Sequence, residues 1–181
     1  FGVIPATGRL VIADRAMRSG ARISAFMRNH VALVPRMRKE RGIHNDLSIK
    51  DNLYMAYLNT DFDRLFIRKK DVEERFEREK KVMSVKVGSS GDPITSLSGG
   101  NQQKVILGKW MEANADILLL DNPTQGIDVG TKFEIYHLIL KLAKAGKAII
   151  VFSQEYPEIY KVADKCMVLY KGRVNAVLDR E

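Results

Sequence analysis

Cysteine is nearly missing from these 181 residues: Cys166 stands alone, inside the apolar run Cys166-Met167-Val168-Leu169. A single thiol closes no bridge within the chain, so a disulfide scaffold is excluded and a reducing cytosol fits. Histidine is scarce as well. His30, His44 and His137 lie far apart with no ligand spacing, which argues against a histidine metal centre. No apolar run approaches the ~18 residues that a membrane-crossing helix needs. The opening residues do not read as a secretion leader. The chain starts at Phe1, without a methionine and in mid-pattern, as a piece of a longer protein would. No internal repeat, low-complexity tract, heptad run or cysteine cluster is visible.

What is present suits one domain of ordinary size, with 45% apolar residues to form a core. The formal charge of +8 raises two sharp possibilities, nucleic acid and an anionic membrane surface. The plainer alternative is a solvated face with local basic clusters. Arg36, Arg38, Lys39 and Arg41 form one cluster; Arg64, Arg68, Lys69, Lys70, Lys80 and Lys81 form another. The second is interleaved with Asp71, Glu73, Glu74, Glu77 and Glu79, which suits an exposed, salt-bridged helix. No aromatic residue alternates with the basic ones there, so the plainer reading is preferred and no nucleic-acid partner is expected.

Gly8 to Ala16 reads as strand, and Ser19 to Asn29 as a helix with Ser19 as a possible cap. Val31–Pro35 reads as a short buried strand followed by a basic loop. Ser48 caps a helix from Ile49 to about Leu58, and a second helix is expected from about Lys69 to Val85. After the loop Gly88–Pro93 the pattern alternates. Ser98 opens a helix to about Ala113, Ala115–Asp121 is a strand, Val129–Ala145 a helix, Lys147–Ser153 a strand and Pro157–Ala163 a helix. A hairpin turned at Lys171-Gly172 joins Lys165–Tyr170 to Arg173–Leu178. Alternating strand and helix implies an α/β fold with a mainly parallel sheet and crossover helices. We expect three parts: 1–47 as partial α/β core, 48–97 as a helical insertion, and 98–181 as the remaining α/β core.

Two stretches carry chemistry. Leu97-Ser98-Gly99-Gly100-Asn101-Gln102-Gln103-Lys104 starts a helix. A helix start has unpaired amides and a positive dipole end, so it suits an anion. Gly99 and Gly100 have no side chains to obstruct a phosphate, and Ser98 adds a hydroxyl. Read alone, the same glycines could simply end a loop. Ile117-Leu118-Leu119-Leu120-Asp121 reads as a buried parallel strand ending in a carboxylate. Ligands sit beyond the carboxyl ends of such strands, and a carboxylate there can hold Mg²⁺. An acid that merely ends a strand is equally common.

Together these stretches resemble the nucleotide-binding domains of ABC transporters. The string from Leu97 to Lys104 is similar to the ABC signature, and Ile117–Asp128 to the Walker B strand plus D-loop. Val31–Arg36 resembles the Q-loop strand, and Val151-Phe152-Ser153-Gln154 the strand leading to the switch histidine. The forms Asn101-Gln102-Gln103-Lys104 and Gly126-Ile127-Asp128-Val129-Gly130 are similar to importers of ribose, galactose and xylose. That family carries two nucleotide-binding domains in tandem, and Ser153–Glu158 resembles the second. The resemblance implies a P-loop NTPase-type fold.

Four departures stand out against that family. The phosphate loop G-x-x-x-x-G-K-[ST] is absent, and Phe1-Gly2 reads as the end of the helix that would follow it. Asn122 stands where the family has a catalytic Glu, and an amide cannot take a proton from water. Loss of a general base typically costs about 10²–10⁴-fold in rate. Gln154 stands at the histidine position. Arg36 replaces the usual Gln, and a cation there could not bind Mg²⁺.

The resemblance therefore implies an asymmetric role. Ser98, Gly99, Gly100 and Gln102 serve an ATP held by a partner nucleotide-binding domain, and Asp128 contributes across the interface. Asp121 is the candidate Mg²⁺ ligand of a home site that turns over slowly. The whole would be the carboxyl-terminal ATPase half of a monosaccharide importer. It would sit on the cytoplasmic face of the membrane, peripheral to it through a permease. Leu53, Tyr54, Tyr57 and Leu58 either touch that permease or form the buried face of their helix, with burial preferred. Two other readings are a DNA-repair or chromosome-maintenance ABC ATPase and an interaction module that binds no nucleotide.

Overall fold

Three apolar runs build the centre of the molecule. In the computed structural model, which describes residues 8–18, 20–58 and 68–180, they pair as one parallel sheet. Its strands are β3 (Val31–Val34), β4 (Ile117–Asp121) and β5 (Ala148–Phe152), in the order β3-β4-β5. Val31 is opposite Ile117, and Asp121 is opposite Phe152. A parallel strand covered on both faces reads as a continuous apolar run rather than an alternation. Accordingly Leu118 and Leu120 of the middle strand are fully buried, as are Ala32 and Val34 beside them. β5 is an edge strand of this sheet, and its Ile150 and Phe152 are exposed.

The helices follow the expected order with slightly shorter bounds. They are α1 (Ile23–Arg28), α2 (Ile49–Leu58), α3 (Lys69–Val82), α4 (Gly99–Glu112), α5 (Val129–Lys144) and α6 (Tyr156–Val162). Ser48 caps α2, its Oγ accepting the Asp51 amide at 3.2 Å. Leu53, Tyr54 and Tyr57 are all buried, so this face of α2 is spent on packing. The side chain of Leu58 lies outside the described residues. Burial of Ile49, Leu53, Phe76 and Met83 joins α2 and α3 to the same core as the sheet; among the described residues Tyr54, Tyr57 and Val72 form a separate small cluster. The helices α2 and α3 thus share the core of the α/β layer instead of enclosing their own. On the outer face α3 carries the expected ion pairs, Lys70–Glu74 and Lys80–Glu77.

Three expectations differ from what is observed. Gly8 to Ala16 does not form one strand: β1 (Leu10–Ile12) and β2 (Arg15–Met17) pair antiparallel about Ala13 and Asp14, which take φ values of +47° and +62°. Two successive left-handed residues make the tight turn of a two-residue hairpin, and no Gly or Asn announced it. Helix α1 begins after Arg22, with no side-chain cap, while Ser19 lies outside the described residues together with Phe1, Gly2 and Arg64. The basic loop after β3 is not irregular; Arg38–Gly42 form a π-helical turn. The final hairpin is as expected, β6 (Lys165–Tyr170) with β7 (Arg173–Asp179), turned by Lys171 and Gly172 at φ +47° and +75°.

Candidate nucleotide-facing site

Ser98 is the cap of α4. Its Oγ accepts the side-chain amide of Asn101 at 3.1 Å and the Asn101 backbone amide at a long 3.5 Å. Asn101 in turn accepts the Lys86 amide at 3.0 Å, which ties the cap to the loop after α3. Ser98 is exposed, Gly99 half-buried and Gly100 buried. By position the first amides of α4 have no partner within the helix, and the dipole makes this end positive.

The two glycines serve different neighbours. A Cβ on Gly100 would lie 3.0 Å from Thr131 Cβ and closer still to its Cγ2. The missing side chain therefore lets the tip of α4 pack against the first turn of α5. A Cβ on Gly99 would lie 3.2 Å from the Arg38 Cζ and closer to its Nη2. Gln102 does not project with them. It is 5% exposed, and its Nε2 donates to the carbonyls of Leu97 (3.1 Å) and Ile94 (3.4 Å). Three residues beyond the tip, helical periodicity has turned this side chain toward the loop that precedes α4. In this structure it braces that loop.

Asp128 caps α5. Oδ1 accepts the Thr131 amide at 2.9 Å and Oδ2 accepts the Thr131 hydroxyl at 2.7 Å. These bonds, the amide's first, hold its carboxyl below the ordinary range, so the exposed side chain is anionic at neutral pH. Since Thr131 also touches Gly100, the α4 tip and Asp128 share one surface.

The other candidates gather at the carboxyl ends of the three parallel strands. Arg36 follows β3 and donates from Nε to the Gln125 side chain at 2.8 Å. Asp121 ends β4, and its Oδ1 accepts the Asn122 side-chain amide at 2.8 Å. Asn122 has φ +46°, a left-handed conformation that Asn tolerates better than most residues. Its backbone amide donates to the Phe152 carbonyl at 2.8 Å, and exposed Gln154 lies just beyond β5. No group of three or more His, Cys, Asp or Glu gathers among the described residues. A magnesium ion at Asp121 would draw its remaining ligands from phosphate oxygens and water, as this ion usually does.

Sequence reasoning missed two supports of this site. Arg38 belongs to a basic cluster that reads as solvated, yet its guanidinium donates to the carbonyls of Gln125 (2.7 Å) and Gly126 (3.3 Å). Glu158, on α6, is 2% exposed and accepts the hydroxyls of Thr124 (2.6 Å) and Ser153, linking the loops after β4 and β5. The only signal for Glu158 was its place in an acidic string after β5. Nothing in its spacing separated a buried acid from the exposed Glu155 beside it, which pairs with Lys132.

A capped, exposed helix start and a parallel strand that ends in a carboxylate are both features of phosphate-handling α/β proteins. The family profile of the ABC transporters matches residues 2–125, and the chain belongs to that family. It is 43% identical to the galactose/methyl galactoside import ATP-binding protein MglA of Treponema pallidum over 174 residues, 96% of this chain and 35% of the relative. It is 38% identical to a putative ribose/galactose/methyl galactoside import ATP-binding protein of Rhizobium meliloti, covering 99% of this chain and 35% of the relative. A ribose import ATP-binding protein, RbsA of Bacillus cereus (strain ZK / E33L), is 34% identical over the whole chain. The chain thus spans about a third of the length of these relatives. Among solved structures, a nucleotide-free ATP-binding cassette superposes with a TM-score of 0.83 at 16% identity, over 99% of this chain and 73% of that one. A dimeric cassette bound to ADP and Pi gives 0.78 at 18% identity, over 98% of this chain and 75% of that one. At such identities these two establish the fold alone. The DNA-repair reading finds no support among the relatives.

Proposed function

We propose that this chain is the nucleotide-binding cassette of a sugar importer, acting chiefly as the partner that closes an ATP site on a second cassette. The sugar-import names of relatives that align with nearly the whole of this chain support the transporter class. The observation that carries the division of labour is the contrast between two ends of the structure. Ser98 and Asp128 are exposed side by side with the α4 amides, while Asp121 is hydrogen-bonded to an amide where the family has a base.

The residues fit a phosphate group in trans. Ser98 and the amides of Gly99 and Gly100 would hold its oxygens at the positive end of α4. Asp128 presents a fixed anion on the same surface, suited to a donor of the partner cassette. ATP, with Mg²⁺, would supply the driving reaction in the full assembly. Arg36, Asn122 and Gln154 bring no carboxylate to the home site to activate water. That site would hold nucleotide with slow turnover. Gln102 supports the tip from behind. The assembly would comprise a second cassette, in tandem or as a dimer, and membrane permease subunits at the cytoplasmic face. Residues 48–97 would then form the insertion nearest the permease, between core segments 1–47 and 98–181.

A crosslink tests this reading. In a Cys166→Ser background, Ser98→Cys is exposed to ATP that bears a thiol-reactive group on its terminal phosphate. Labelling at position 98 in the assembled protein, and not in this chain alone, is expected. Labelling of the isolated chain, or none in the assembly, would refute it.

A further inference from the structure

We infer that Arg38 is a positioning residue that locks the α4 tip to the loop between β4 and α5; the inference rests on the reading that this tip faces a partner's nucleotide. Three observations carry it. First, the guanidinium donates to two successive main-chain carbonyls, Gln125 at 2.7 Å and Gly126 at 3.3 Å. It thus restrains the backbone leading to Asp128, not merely a side chain. Second, the same group lies so close over Gly99 that a methyl there would displace it. Gly99 is the residue at the start of α4, so Arg38 touches both halves of the shared surface. Third, its Nε is buried with no hydrogen-bond partner. A cation beside a helix amino end is also disfavoured by the dipole. An arrangement that leaves a buried donor unmet and places a charge against the dipole is maintained by what the other two nitrogens hold.

The π-helical turn Arg38–Gly42 explains how the side chain gets there. This turn begins at Arg38, after the short link Pro35-Arg36-Met37 from β3, and its far end is anchored by Lys109, whose Nζ donates to the Gly42 carbonyl at 2.8 Å. A shift of the segment after β3 would therefore move both Gly99 and Gly126 through one side chain. Arg36 makes a useful contrast. It reaches only the side chain of Gln125 and is itself exposed.

The test uses the full-length protein assembled with its permease, comparing Arg38→Ala, Arg38→Lys, Arg36→Ala and Ser98→Arg. Arg38→Ala should lower kcat for ATP about tenfold with KM for ATP little changed. It should also speed amide exchange across residues 123–128 about tenfold, the factor expected for one charge-assisted hydrogen bond. Arg38→Lys keeps the charge but cannot span two carbonyls, and should recover little of either. Arg36→Ala, which loses a bond to the Gln125 side chain only, should leave exchange across residues 123–128 near the parent value. If Arg38→Ala fails to fold, Arg38→Gln replaces it with the same expectations. Unchanged exchange in the Arg38 variants, or full rescue by lysine, would overturn the lock. If Ser98→Arg leaves turnover intact, the reading of the tip fails first. If Ser98→Arg abolishes turnover and Arg38→Ala does not slow it, the lock alone is wrong.

Discussion

Gly100→Ala is the sharpest probe of the packing that joins the two capped helices. The added methyl would meet Thr131 Cγ2 well inside van der Waals contact and Thr131 Cβ at 3.0 Å. Thr131 cannot swing away cheaply, because its hydroxyl and its amide are both bonded to Asp128. Overpacking of this kind costs about 1–3 kcal/mol. Alanine favours a helix over glycine by about 0.5–1 kcal/mol, which offsets part of it. We therefore expect a net loss of about 1–2 kcal/mol. Thr131→Ser removes the obstructing Cγ2 and keeps the hydroxyl on Asp128. In the double variant Gly100→Ala/Thr131→Ser most of the loss should vanish, a coupling of about 1–2 kcal/mol. Independent sites add within about 0.3–0.5 kcal/mol, so the difference is measurable by urea denaturation of the parent, both singles and the double. Additive effects, or a Gly100→Ala protein more stable than its parent, would show that the contact is not what keeps position 100 a glycine.

The remaining predictions concern buried charge. Glu112 is 3% exposed and paired with Arg75 at 2.9 Å and with Arg78; Glu112→Ala should cost about 2–4 kcal/mol in denaturant unfolding, less than for a fully enclosed pair because both arginines reach water. Glu79, beside it, has its pKa pushed up to about 7 by burial and then by the charge of Glu112. Its native state holds the proton more tightly than the unfolded one. The contribution is therefore full below the unfolded value near pH 4.5 and is lost as pH rises through about 7. Glu79→Gln should flatten that slope in pH-dependent melts and gain most, relative to the parent, at pH 8. Glu158→Ala leaves the Thr124 hydroxyl without its acceptor in a buried site, and should lower stability by about 1–3 kcal/mol in urea unfolding and loosen residues 122–128 in amide exchange.

The elements of the α/β layer were legible because their signals are local. β4 is one uninterrupted apolar run, Ser98 and Asp128 are cap residues in front of periodic helices, and Lys171-Gly172 is a turn pair. The candidate tip and strand end were legible for the same reason. What the sequence hid was chiefly long-range. Arg38 reaches 87 positions along the chain to Gln125, and a basic cluster reads the same whether its members are solvated or bonded to carbonyls. Gln102 looked like part of an exposed signature, yet three residues of helix turn it inward. Lys104 and Glu112 are buried charges on α4, each neutralised by a residue distant in sequence, Glu134 and Arg75. The Ala13-Asp14 turn failed differently: Asp tolerates a left-handed φ, but Ala13 before it carries no such signal.

The most direct trial of the account compares Ser98→Arg with Asn122→Ala in solute uptake driven by ATP, in the assembled transporter. A bulky cation at the α4 tip should abolish uptake, because it intrudes where the neighbouring cassette's phosphate is held. Removing an amide from a home site that already lacks its base should leave most of the rate. Equal losses from the two substitutions would contradict the asymmetry on which the rest depends.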